Sequence, residues 1–445
     1  MNPYFYYEIL VGVVLLYVIA VVLLHRYGFI GPNRTISLFG PALMIKTQRG
    51  LEDINRWSRF RRFWTAVSDL GIWLAAISMG LIVSLLVLGA VLSFSIPASA
   101  APSPSEALAI PGINPLIPLW YGLIALIIGI VLHELSHGIV ARSQGIGVKS
   151  VGVLWCVIPI GAFVEQDDAD MMAASRRKRD RVAAAGVLAN FAIAVVFFVA
   201  LSAVVSSSVV ANANGVGVVS VVAGSPAANI SLAPGDIITS INGTATTSVN
   251  LFDSALANTR PGEIVVVQFY SASLGHSVTA STNLTKNPNV ATRGFLGVLP
   301  AFLTPPALKQ TLVWPLGSPN GPLVGSVDWI VLPLATLEPV GGSSLEYFHL
   351  TGPFAHVDPN TFWIGANVLY WIAWMSLLLG LSNALPLVPL DGGLLFRDFS
   401  ASIAARFRKT WSEARLEEFG GKAAVASSVI VLVLLLWQFV VPRLL

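Results

Sequence analysis

From Pro118 to Ala141 the chain is almost wholly apolar, and the only carboxylate or imidazole side chains in that run are His133, Glu134 and His137. A run of this length crosses a bilayer as a helix, because in hydrocarbon every backbone polar group must be satisfied inside the segment. An ionisable group at the centre of such a helix costs on the order of 3 kcal/mol, so three together demand a function. His133 and His137 are four residues apart. On a helix both imidazoles share one face and can reach a single metal ion, with Glu134 beside them to act on water.

The rest of the chain shares this character. Segments Tyr4–Leu24, Leu70–Leu92, Pro118–Ala141, Val182–Val205, Thr361–Leu385 and Ala423–Val441 each read as a membrane span. With 55% hydrophobic and 11% charged residues and a mean hydropathy of +0.75, a soluble enzyme is excluded. The expected fold is an α-helical multispan membrane protein of about six transmembrane helices. Nothing basic precedes the first run, and His25 and Arg26 follow it, so it reads as a retained span and not a secretory signal. The single cysteine, Cys156, excludes an intramolecular disulfide and a cysteine-based zinc cluster.

Basic residues orient the spans. Of the 26 Lys and Arg, 21 fall in the connections after the first, third and fifth spans. By the positive-inside rule those connections are cytoplasmic, and both termini and the long segment after the fourth span are extracytoplasmic. The same placement explains the net charge of +3 without nucleic acid, since no soluble segment interleaves basic and stacking aromatic residues. Contact with membrane lipids follows, and Ile54–Trp64, which mixes aromatics with arginines, reads as an amphipathic interfacial helix.

This gives a domain plan. Residues 1–66 hold the first span and a basic interfacial segment, and 67–205 form a membrane core with the His-Glu-x-x-His helix. Residues 212–290 form an extracytoplasmic α+β module, and 291–360 a Pro-rich interfacial connection. Residues 361–393 return to the membrane core, and 394–445 hold a basic cytoplasmic loop and the last span. Ile36–Ile45, in the first basic connection, is apolar with a Gly-Pro break and reads as a hairpin or an interfacial element, and Ser150–Phe163, in the core, is apolar but too short and broken to span. The second reads as re-entrant or sheet-like, and could pair with an extended substrate or serve packing alone. Glu165, Asp167, Asp168 and Asp170, followed by Arg176–Arg179, read as a solvated charged loop.

In the outer module, β-rich runs at Val216–Val222, Asp236–Ile241, Glu263–Tyr270 and Ser277–Leu284 alternate with the turn signals Pro234-Gly235-Asp236 and Asn242-Gly243. Helices are expected at Ser225-Pro226-Ala227-Ala228 and Asn250–Asn258. This pattern resembles a PDZ domain of the arrangement found in prokaryotic proteases. The resemblance implies recognition of an extended peptide or a substrate ectodomain by strand addition, or else a passive steric plug.

Two histidines leave a catalytic zinc one protein ligand short. The stretch after His137 offers none. Asp391 is the candidate, following Asn383-Ala384-Leu385-Pro386-Leu387-Val388-Pro389-Leu390 and preceding Gly392 and Gly393. The two prolines break the helix, so partly unwound backbone is expected to present Asp391. The orientation set by Lys and Arg puts Asp391 at the same depth as the histidines. Asn190, near the start of the fourth span, needs an amide partner; a role toward the site and a plain interhelical hydrogen bond are equally open.

His133-Glu134-Leu135-Ser136-His137, Gly186…Asn190 and Asn383-x-Leu385-Pro386-x-x-Pro389-Leu390-Asp391-Gly392-Gly393 together resemble the site-2 proteases, intramembrane zinc metalloproteases that often carry an inserted PDZ domain. Val187 stands where the family often has proline. The resemblance implies one Zn²⁺ held by His133, His137 and Asp391, with Glu134 as general base and then acid. It implies cleavage within a transmembrane protein substrate, and Asn190 and Asn383 holding the substrate strand or the oxyanion. Two rival readings are a membrane zincin cutting soluble segments, with a different third ligand, and a non-catalytic PDZ scaffold that binds no metal.

Overall fold

A computed structural model of the chain describes residues 4–31, 34–107, 110–317, 321–335 and 338–445, with side chains from residue 11 on except at 107, 158–160, 317, 334 and 335. Helix α1 (Tyr4–Arg26) leads to a hairpin of β1 (Ile36–Phe39) and β2 (Ala42–Thr47), then α2 (Leu51–Ser58), α3 (Arg61–Leu92) and α4 (Leu119–Ser143). A second hairpin, β3 (Val148–Cys156) and β4 (Ile158–Gln166), precedes α5 (Asp168–Ala173) and the long α6 (Arg176–Ser208). Next come β5 (Val209–Ala211), β6 (Val216–Val221), α7 (Pro226–Asn229), β7 (Ile237–Ile241), β8 (Thr244–Ala245), α8 (Val249–Ala257), β9 (Ile264–Ser271) and β10 (His276–Asn283). The chain continues through β11 (Thr285–Lys286), β12 (Gly294–Phe295), β13 (Val298–Pro300), α9 (Pro305–Val313), α10 (Pro322–Ala335) and β14 (Phe348–Leu350). It closes with α11 (Pro359–Asn383), α12 (Asp391–Phe407) and α13 (Glu413–Leu444).

Among the described residues five helices are long and apolar enough to cross a membrane: α3, α4, α6, α11 and α13. Each covers all or nearly all of one expected run, because an apolar stretch without a polar backbone partner closes its hydrogen bonds on itself. Helix α1 is also regular and apolar, though the part whose side chains are described, Val11–Arg26, is shorter than a span.

The chain divides into two compact units. The first comprises Met1–Ala109, Leu123–Ala194 and Met375–Leu445. Its helices meet on small residues: Ala75, Ala183, Ala184, Val187, Ala384 and Leu395 form one buried cluster. Alanine at these positions lets helix backbones approach closely where lipid gives no hydrophobic drive to associate. The two hairpins join as a four-stranded antiparallel sheet in the order β1-β2-β3-β4, with Leu43 opposite Trp155 and Val151 opposite Val164. Of the two readings of Ser150–Phe163, the sheet-like one holds. Tyr17 Oη, on α1, lies 2.7 Å from Pro41 O and 3.0 Å from Trp155 O, fixing α1 to this sheet.

Three expectations need correction here. The amphipathic stretch Ile54–Trp64 is not one helix: α2 ends at Ser58, Phe60 leaves helical geometry at φ −78°, ψ 54°, and Arg61 starts α3. The acidic and basic run at 165–179 is not a loop. Asp167 caps α5 by accepting from Ala169 N at 2.9 Å and Asp170 N at 3.1 Å, and Arg176–Arg179 form the first turn of α6. The basic stretch after Gly393 is likewise helical. Helices α12 and α13 fill most of it, because Leu395, Asp398, Ala401 and Ala404 recur at helical spacing and are all buried.

The second unit comprises Ile110–Gly122 and Val195–Trp374. Its sheet has the order β10-β9-β7-β6-β13, with β8 paired to β7. Alternation puts Val265, Val267 and Phe269 of β9 inward with Val216, Val218, Ile238 and Ile241. The turn between β7 and β8 is Asn242-Gly243, both with positive φ, as a two-residue hairpin requires. Ser225 caps α7, with Pro226 behind it. The sheet runs past residue 290, since Val298–Pro300 pair with β6 and Leu296 joins the core. The apolar run Trp329–Thr336 falls mainly on α10; Thr336 lies outside the described residues.

Candidate metal centre

Helix α4 sets the site. One helical turn separates His133 from His137, and their Nε2 atoms stand 3.1 Å apart, both side chains nearly buried. The chain then supplies Asp391 from a distant point in sequence. Its Oδ2 lies 3.3 Å from His133 Nε2 and 3.4 Å from His137 Nε2. Among the described residues these three are the only group of His, Cys, Asp and Glu that converges in this way.

Asp391 is not on unwound backbone, as the two prolines suggest. Helix α11 ends at Asn383, the link 384–390 turns the chain, and Asp391 is the first residue of α12 behind Leu390. The link brings backbone so close that a Cβ on Gly392 would collide with the carbonyl oxygens of Ala384 and Leu385. Gly392 is therefore a packing requirement of the turn that delivers Asp391.

Do these residues fit a metal? Zinc bonds histidine nitrogen and carboxylate oxygen at roughly 2.0–2.2 Å, and two ligands of a tetrahedron are then roughly 3.3–3.5 Å apart. The observed edges of 3.1, 3.3 and 3.4 Å match such a face. The outer nitrogens agree. His137 Nδ1 lies 2.7 Å from the carbonyl of Val182, so it carries the proton and leaves the Nε2 lone pair pointing into the site. His133 Nδ1 lies 3.0 Å from the Asn190 amide. Asn190 Oδ1 is buried without a partner, so turning the amide over lets that oxygen accept the Nδ1 proton and satisfies both groups. Asp391 Oδ2 is also buried and makes no hydrogen bond. Two lone pairs and a carboxylate oxygen thus converge with nothing to neutralise them, an arrangement that a cation stabilises. A fourth feature is negative space: a Cβ on Gly186 would stand 2.5 Å from both Nε2 atoms.

Glu134 follows His133 on the wall of the same cleft, and its Oε2 accepts from Val164 N of β4 at 3.3 Å. Asn190 therefore touches the site through His133. Asn383 also lines the cleft, but its amide donates to Leu379 O of its own helix at 3.1 Å. The cleft, ≈ 1480 Å³, continues from His133, His137 and Asp391 to a polar wall that includes Arg176, Arg179, Asp398 and Glu417. On that wall Arg179 donates to both oxygens of Asp398, at 2.8 and 3.2 Å, and to Glu417 at 2.8 Å. Asp398 is 1% exposed. Arg179 is seven residues before Gly186 and Asp398 seven after Asp391, so each lies two turns from the site on the same helix face. Nothing in the sequence reading anticipated this pair, and the matching seven-residue offsets were the available signal.

The profile of Peptidase family M50 matches residues 121–420. A relative from Methanocaldococcus jannaschii, "Uncharacterized protein MJ0971", is 34% identical over 161 residues, which are 35% of this chain and 41% of that one. "Putative zinc metalloprotease CPE1693" of Clostridium perfringens is 29% identical over 307 residues, 62% of this chain and 85% of that one. The alignment thus spans less than half of the first relative and most of the second. The PDZ domain of an SdrC-like protein from Listeria monocytogenes is 29% identical, covers 20% of this chain and 88% of that one, and superposes with a TM-score of 0.18.

Proposed function

Because the chain belongs to peptidase family M50, a family of metalloproteases, we propose that it is a zinc endopeptidase of the site-2 type that cleaves transmembrane segments of membrane-protein substrates. The observation that carries this reading is the unneutralised convergence of His133, His137 and Asp391 in a unit built of membrane-length apolar helices.

Bound by these three side chains, zinc supplies a Lewis acid for the scissile carbonyl and the attacking water. The protein's own groups do the rest. Glu134 takes a proton from the attacking water as its oxygen bonds to the carbonyl carbon, and returns a proton to the amine as the carbon–nitrogen bond breaks. Val182 O and Asn190 hold the two imidazoles in the tautomer that presents Nε2. The polar far wall of the cleft admits water.

A helical substrate hides its carbonyls in its own ladder and must unwind to be cut. Strand β4 is at the edge of its sheet, and Val164 N–H points away from β3 to Glu134. An unwound substrate segment added along that edge lies beside the general base. In the proposed topology α1 is a sixth span, both termini and residues 212–360 are extracytoplasmic, and the site faces the cytoplasm. The module at residues 212–290 then acts as a PDZ-like domain for a peptide or a substrate ectodomain.

Substituting Glu134→Gln is expected to abolish cleavage of a membrane-helix reporter by the full chain in proteoliposomes while zinc content stays at one per chain. Cleavage retained by that variant would overturn the assignment.

A further inference from the structure

Behind the catalytic helix lies a second cavity of ≈ 810 Å³, distinct from the metal cleft. The break between α2 and α3 forms one wall, with Trp57, Phe60 and Phe63; α4 adds Leu132, and α6 adds Leu188 and Ala192. The three aromatics are 57–60% exposed, so their rings leave apolar surface open at the edge of the cavity. At the same break stand Arg56, Arg59, Arg61 and Arg62. All four are exposed, and none forms an ion pair among the described residues, although Glu52 and Asp53 lie nearby and Asp53 reaches the cavity. Four cations against two carboxylates leave a net positive rim around an apolar hole.

We propose that this cavity binds one anionic phospholipid, its acyl chain against α4 and α6 and its headgroup on the arginines. Size decides against a substrate helix. A spanning helix about 30 Å long and 10 Å across fills on the order of 2,400 Å³, several times this volume, whereas small-ligand pockets run to about 300–1,000 Å³. The lining decides against a soluble ligand, since Asp53 and the hydroxyls of Ser68 and Ser136 are its polar side-chain groups apart from the aromatic indoles. The rim decides the charge, because the cytoplasmic leaflet is anionic and basic residues near it bind headgroups. The proposal rests on the membrane placement given above, though not on proteolysis.

The test is native mass spectrometry of the delipidated full chain, titrated separately with dioleoylphosphatidylglycerol and dioleoylphosphatidylcholine. One tight adduct is expected with the first lipid, and at least about tenfold weaker binding of the second. Replacing both Arg59→Gln and Arg62→Gln is expected to weaken the phosphatidylglycerol adduct about thirtyfold, from the typical contribution of an arginine at an anionic surface. Filling the cavity with Ala192→Phe is expected to abolish the tight adduct, with Ala189→Leu as a second filling variant if the first lowers the thermal midpoint. Zinc content, read on the same samples, reports the metal site separately. Equal binding of the two lipids, or an unchanged adduct in the arginine variant or in both filling variants, overturns the proposal. So does crosslinking of a membrane-helix reporter to Ala192→Cys, which would make the cavity a substrate channel.

Discussion

Gly186→Ala adds one carbon atom to the protein, yet it should empty the metal site. The new Cβ would stand 2.5 Å from His133 Nε2 and from His137 Nε2, and closer still to His133 Cε1. Non-bonded atoms of this kind settle at roughly 3.5 Å, so the rings or the α6 backbone must yield about 1 Å. A metal site tolerates about 0.2 Å in its ligand distances. Losing a partner of a ligand costs about 10–100-fold in metal affinity, and displacing two ligands directly should cost at least about 100-fold. Metal-free stability should change far less, because the helix preference of alanine over glycine, about 0.5–1 kcal/mol, offsets part of an overpacking cost of about 1–3 kcal/mol. The assay is a competition titration of the purified full chain against a chromophoric zinc chelator, paired with thermal unfolding of the metal-free protein. Comparing metal-free samples matters, since bound zinc would itself raise the midpoint. Wild-type zinc affinity in Gly186→Ala would refute both the site and the role of α6 in closing it. Lost affinity with a collapsed metal-free midpoint would show that the glycine serves packing alone.

Asn190→Leu leaves His133 Nδ1 without its partner and should weaken zinc binding about 10–100-fold in the same titration, whereas Asn190→Asp keeps an acceptor oxygen and should lie closer to wild type. Arg179→Met leaves Asp398 buried with its main partner gone, which should cost about 3–5 kcal/mol of stability; the double variant with Asp398→Leu should recover much of it. Equal thermal midpoints for the single and double variants would show that the pair is not coupled.

The parts of this site that were legible in sequence are those with a period. Histidines four apart on an apolar run fix a shared face. Asp391 carries no such signal. Its candidacy came from a missing ligand and a matching depth, and its secondary structure was misjudged because two prolines read as a break without showing that a new helix starts immediately after them. The acceptor of the His137 proton could not be read at all, since Val182 contributes a main-chain carbonyl that any residue would offer. Arg176–Arg179 looked solvated because charge runs usually are, but the partners of Arg179 are 219 and 238 residues away in sequence. The break at Phe60 was hidden for the opposite reason. No glycine or proline marks it, and the aromatic and arginine pattern continues across it.

The link 384–390 poses the sharpest physical problem of the fold, because prolines at 386 and 389 leave backbone groups unpaired among apolar helices. Some are met locally, as Leu387 N donates to Leu385 O at 2.7 Å and Leu390 N to Leu387 O at 2.8 Å. Two more are met by α13. Ser427 Oγ donates to Pro386 O at 2.8 Å, and Ser428 Oγ accepts from Val388 N at 2.9 Å. The last helix therefore does more than cover the bundle, since its two serines pair with two backbone groups of the turn that carries Asp391. Pro386 is buried, so the double variant Ser427→Ala/Ser428→Ala should cost about 1–3 kcal/mol from the orphaned carbonyl. It should also weaken zinc binding, because Asp391 is held only three residues beyond Val388. Ser427→Thr keeps the hydroxyl and should leave both near wild type. If the double variant lost stability but kept wild-type zinc affinity, the turn would be fixed by its own backbone and by Gly392, and α13 would have no part in placing the third ligand.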